Sequence, residues 1–182
     1  MRANLIPLVL ALTVAVTLSA HAGPPAPPLV KFGGAIGVDP LTAAGGVDVL
    51  NIVRGISPGG RAWVQRKLRA TVGTDGHIDV QGAGLLLASG EGIATRATIT
   101  HVAATLACGP ANSTATLFTS PPGALDLAGD FHITGALSQD GVNPAVMPPT
   151  CDNPVLLIRS YNPTTNTAGA WFAAGIPNRD DD

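Results

Sequence analysis

Residues 62–84, AWVQRKLRATVGTDGHIDVQGAG, carry the pattern that decides the fold. Side chains two apart on an extended chain share a face. Val64, Leu68, Ala70 and Val72 therefore form one face of a first arm, and Trp63, Gln65, Lys67, Arg69 and Thr71 form the other. On the returning arm Ile78 and Val80 alternate with His77, Asp79 and Gln81. A two-residue Asp75-Gly76 turn would set Val72 against Asp79 and mix the two faces. A three-residue loop, Thr74-Asp75-Gly76, sets Val72 opposite Ile78 and Ala70 opposite Val80. One residue of register moves every side chain to the other face, so the spacing predicts the three-residue hairpin with Gly76 left-handed. Trp63 falls on the polar face in this register and is expected to be exposed. Arg66 interrupts the apolar face and calls for a sheet edge or a carboxylate partner.

The same alternation spreads outward. Val30 to Val38, Val47 to Val53, Leu85 to Leu87 and Ala115 to Phe118 read as strands. Ile93, Ala97 and Ile99 hold one apolar phase and Val102, Ala104, Leu106 and Cys108 another, a change expected of a β-bulge near His101. Leu125-Asp126-Leu127 and Phe131 to Leu137 flank Ala128-Gly129-Asp130 as a second hairpin. Pro154 to Ile158 is a continuous apolar run, the mark of a central strand, and Ala170 to Ala174 is the last strand. Residues 143–154 hold four prolines and Cys151, and so form a loop. The prediction is an all-β chain: a β-sandwich of about nine short, mostly antiparallel strands, occupying 30–177, with no stretch of helical period.

Four flanking features frame that domain. Residues 1–22 have a secretory leader's pattern: Arg2, an uncharged run from Leu5 to Leu18, and Ala20-His21-Ala22 as a cleavage site. At about 14 residues the apolar run is shorter than the ~20 that span a bilayer, so no membrane span is expected after cleavage. Residues 23–29 form a proline-rich spacer, and 178–182 an acidic tail without the apolar end of a glycolipid anchor. The expected location is secreted or periplasmic. The two cysteines, Cys108 and Cys151, are then expected to join as a disulfide in an oxidising compartment. Two free thiols or a metal pair are the alternatives, the latter without a second Cys or His at ligand spacing.

Ten Lys and Arg face twelve Asp and Glu, for a formal charge of −2, and removal of Arg2 with the leader makes it more negative. That balance argues against a nucleic-acid partner. Arg61, Arg66, Lys67 and Arg69 are the one basic cluster and read as a solvated strand face. Gly55-Ile56-Ser57-Pro58-Gly59 matches the spacing of a hydrolase nucleophile turn, but Pro58 has no N–H for an oxyanion hole and no helix follows. Glu91 lies in a Gly-rich turn, and Asp126 and Asp130 bracket another; neither is an acid pair for glycoside chemistry. His77 and Asp79 share a strand face, as do Asp130 and His132. Together the four could ligate a divalent ion, although each pair lies beside a hairpin turn on the solvent face, where such residues are ordinary. Asn112-Ser113-Thr114 is a glycosylation sequon, and Tyr161, Trp171 and Phe172 are aromatic candidates for packing or ligand contact. No catalytic residue set and no cofactor are assigned.

TVGTDGHIDVQGAGL (71–85), ITHVAATLACGP (99–110), GDFHITGAL (129–137) and NTAGAWFAAGI (166–176) resemble the CHRD-type secreted bacterial β domains over roughly the last hundred residues. The His-x-His segment of that family is replaced here by His101 alone. The W-V-x-R-K-L-R-A-x-V-x-x-D-G strand is similar to exported bacterial proteins of undefined function. The resemblance implies a secreted β domain and no mechanism. The function expected is a non-catalytic extracytoplasmic binding or envelope-associated module for an unknown extracellular ligand. The alternative is an exported metal-binding protein or metal-dependent enzyme using His77, Asp79, Asp130 and His132.

Overall fold

The computed structural model describes residues 26–44 and 47–178. The leader, the first residues of the spacer and all but the first residue of the acidic tail lie outside these. Eleven strands follow in order: β1 Pro28–Gly37, β2 Leu41–Ala44, β3 Val47–Leu50, β4 Trp63–Gly73, β5 His77–Leu87 and β6 His101–Cys108, then β7 Thr116–Thr119, β8 Gly123–Ala124, β9 Phe131–Ala136, β10 Val155–Asn162 and β11 Thr167–Pro177. No helix occurs among the described residues. β2 and β3 make a separate two-stranded ribbon.

The other nine strands pair antiparallel in one sheet of order β7-β6-β10-β11-β1-β4-β5-β9, with β8 also on β6. The sequence expectation of a sandwich thus meets a single curled sheet. Its two edges come together: Thr119 of β7 and Ser138, just past β9, exchange both backbone hydrogen bonds at 2.7 and 2.9 Å. Leu125, just past β8, bridges Phe131 of β9. Right-handed strand twist favours such curling when bulges sharpen it.

The β4–β5 hairpin has the expected register, with Val72 opposite Ile78 and Ala70 opposite Val80. Gly76 closes the loop at φ 80°, where a side chain would be strained. Halfway along, both strands change phase. Arg66 and Lys67 both point outward, and opposite Arg66 stands Gly84 at φ 72°. Beyond this kink Trp63 and Gln65 turn inward, leaving Val64 outside: Trp63 is 5% exposed and Val64 49%. The expected placements of Trp63 and Val64 are thereby exchanged. Arg66 needs neither an edge nor a carboxylate, because the kink carries it to solvent from a strand in mid-sheet. Trp63 stacks on Phe172 with ring centroids 4.2 Å apart.

Kinking both strands frees backbone polar groups, and buried ones must find partners. Gln65 Nε2 donates to the carbonyls of Lys67 (2.7 Å) and Ala83 (3.0 Å), one on each strand. The Gly84 N–H donates to Asp130 Oδ1 at 2.9 Å. The Leu85 N–H donates to the Gly129 carbonyl at 2.8 Å. The turn before β9 is thus docked against β5.

The apolar run Leu156-Leu157-Ile158 is central as expected: β10 lies between β6 and β11, and all three side chains are fully buried. Leu68, Val72, Ile78, Val80, Leu106, Phe118 and Ile133 fill the inside of the curl. Pro28, assigned to the spacer, instead begins β1, paired with Gly73; proline is tolerated at a strand start. The expected strand through Ile93 and Ile99 is a turn-rich loop, with Ala94 and Ala97 at positive φ and Ile93 exposed. Cys108 and Cys151 form the disulfide, with Cα atoms 4.9 Å apart. It ties the end of β6 to the proline-rich loop before β10. Beside it the nearly buried Arg54 donates to the carbonyls of Pro110 and Asn153, clamping the segments that leave the two cysteines.

Candidate functional site

β5 and β9 are neighbours, with Asp79 opposite Thr134 and Gln81 opposite His132. This pairing places the two His/Asp sets of the sequence on one outer face. His132 Nε2 lies 2.9 Å from Asp79 Oδ2, and His77 Nε2 lies 3.2 Å from Thr134 Oγ1. Asp130 does not join them, because its carboxylate holds the kink of β5 at Gly84. Asp126 likewise turns inward on its own loop, accepting from the N–H groups of Ala128 and Asp130 at 2.9 and 2.8 Å. Among the described residues no group of three or more His, Cys, Asp or Glu side chains is gathered as a metal site. His101, beside the expected bulge, is half-buried at the start of β6, its Nδ1 3.0 Å from Thr100 Oγ1.

A shallow groove of about 770 Å³ crosses this face. Lys67 and Arg69 stand on one wall, His132 and Asp130 on the other, and Gly82 and Ala83 lie between. Gly82 is required by packing, since the Phe131 ring occupies the space a Gly82 side chain would take. Arg61, Arg66, Lys67 and Arg69 are all exposed, as expected of a solvated face. The acids nearby are engaged, Asp79 with His132 and Asp130 with Gly84, whereas no carboxylate among the described residues pairs with Lys67 or Arg69.

A second cleft, of about 590 Å³, opens where the sheet edges meet. Its walls are Thr119–Pro122, the segment after β9 and the tip of the β10–β11 hairpin, with Arg159 and Tyr161 from β10. On the segment after β9, Asp140 accepts from the N–H groups of Asn143 and Val142 and from two side chains. These bonds hold its carboxyl well below the usual carboxylate range. Arg159 carries no motif in the sequence that marks it as a site residue. Its only signal was a lone charge at the end of the run VLLI, where it falls beside a register shift between β10 and β11.

The remaining candidates have structural places. Gly55–Gly59 runs beside β11: Trp171 N–H donates to the Ser57 carbonyl and Gly59 N–H to that of Trp171. Ser57 is therefore on a loop that covers a tryptophan, not on a strand-to-helix turn. Glu91 is exposed in its turn. The sequon is exposed, with Asn112 Oδ1 accepting from Thr114 Oγ1 at 2.6 Å. Trp171 and Phe172 are buried.

Comparison with family models, with curated proteins and with solved structures returned no match.

Proposed function

We propose that the chain is an exported, non-catalytic binding module that presents the outer face of β4, β5 and β9 to an acidic polymer of the envelope or the extracellular surroundings. The observation that carries this reading is the arrangement of the groove: Asp126 and Asp130 keep their charge but are turned to backbone N–H groups, while Lys67 and Arg69 stand exposed on the opposite wall with no ion-pair partner among the described residues. Exposed cations in a groove concentrate a polyanion through the field they sum to. The disulfide fits an oxidising compartment. The leader pattern of 1–22, secretion or a periplasmic location, and the likeness to CHRD-type β domains all belong to the same proposal. A sandwich-like division of the curled sheet would leave the face unchanged.

Retention of the processed protein on immobilised alginate, compared with neutral dextran, tests this. Retention on alginate alone, weakening with salt and at least about tenfold lower for Lys67→Ser/Arg69→Ser, is the expected result. Equal retention of the double variant would overturn it. The contact between His132 and Asp79 keeps a metal-binding reading in play. Stoichiometric metal in the purified protein, lost in His77→Ala/His132→Ala, would establish that reading instead.

A further inference from the structure

Arg159 is a half-buried cation, and among the described residues none supplies it the paired anion that burial usually demands. Its Nε donates to the Gly169 carbonyl at 2.7 Å, Nη2 to the Ala168 carbonyl at 2.8 Å and Nη1 to Thr105 Oγ1 at 3.2 Å. Thr105 Oγ1 is itself 3.0 Å from Thr119 Oγ1. A guanidinium carries five N–H groups. One on Nη1 and one on Nη2 thus have no acceptor among the described residues. Three contacts, two to β11 and one to β6, fix the plane of the head, so little side-chain freedom is lost when those two donors are used. Burial lowers the pKa of Arg159 from its usual value. The hydrogen bonds of Asp140, on a neighbouring loop, all go to its own turn, from Ser138, Val142 and Asn143.

The cleft around that head is chemically mixed. Pro121, Pro122 and Pro144 give it rigid apolar walls, and Gln139, Asn143 and Tyr161 add amide and phenol groups. Its volume lies in the range that encloses most of a small ligand. Planar guanidinium recognition favours a carboxylate taken by two parallel hydrogen bonds. Amides beside flat apolar walls suit a compact body carrying hydroxyls on one side and C–H groups on the other.

We propose that this cleft is a binding site for a small sugar acid, its carboxylate on Arg159 and its ring between the prolines and Tyr161. The site is separate from the groove on β4, β5 and β9 and does not depend on what that groove binds.

Titration of the processed protein with D-galacturonate, followed by calorimetry and by the NMR resonance of Arg159 Nε, provides the test. The result expected is saturable one-to-one binding that shifts Arg159 and Ala168. D-Galactose, which lacks the carboxylate, should bind at least about tenfold more weakly. Arg159→Gln should lose at least tenfold in affinity while Lys67→Ser/Arg69→Ser keeps it. Should Arg159→Gln fail to fold, Arg159→Lys, which retains charge but not the planar fork, is expected to show a similar loss. Absence of galacturonate binding, equal binding of galactose, or an undiminished affinity in the folded Arg159 variant would overturn the site.

Discussion

Trp63 and Val64 are adjacent, and the structure gives them opposite fates. The indole lies against Phe172 inside the curl, while the valine faces water. Truncating a buried aromatic removes transfer energy and leaves a cavity. Trp63→Ala should therefore cost about 3–5 kcal/mol in denaturant unfolding. Val64→Thr should stay within about 0.5 kcal/mol. The reverse ranking would restore the uninterrupted alternation of β4 and remove the kink. Strict alternation could not reveal that kink, because the signal lies in partners distant in sequence. Gln65 answers carbonyls on two strands, and Asp130 reaches Gly84 from another hairpin. Asp130 shows the consequence for site prediction. Its type and spacing suggested a metal ligand, yet its carboxylate holds a backbone amide.

Elements were more legible than individual side chains. The hairpin register of β4 and β5, the centrality of β10 and the pairing of Cys108 with Cys151 all follow from local rules of spacing and composition. The loop through Ile93 reads as a strand because a few spaced apolar residues imitate one, although Ala94 and Ala97 adopt positive φ. The adjacency of β5 and β9, which sets His132 on Asp79, depends on chain topology and has no local signature. The cross-link encloses a separation of 43 residues. Chain entropy then assigns it about 4 kcal/mol. Replacing Cys108 and Cys151 by Ala should lower the melting temperature by roughly 10 °C. Thermal unfolding of that variant by circular dichroism checks this, and an unchanged midpoint would show that the Arg54 clamp alone holds the two segments.

For the whole molecule, the curl is held unequally around its circumference. β10 shares an unbroken ladder with β6 and a long one with β11 that shifts register only around Arg159, over buried Leu, Ile and Ala, whereas the edges join at the Thr119–Ser138 and Leu125–Phe131 bridges. Local opening follows the density of such contacts. Hydrogen exchange should therefore be slowest at Leu156, Leu157 and Ile158, and the Thr119 and Ser138 amides should exchange before them. Equal protection at both places would mean that the closure is as strong as the central ladders.

The chain contains one tyrosine and two tryptophans. Tyr161 stands in the Arg159 cleft, and both indoles are packed elsewhere, Trp63 on Phe172 and Trp171 beneath the Ser57 loop. Nature has in effect installed a single phenol chromophore at that opening. Its near-ultraviolet difference spectrum can watch occupancy there without an attached dye, while indole emission reports the integrity of the interior in the same cuvette.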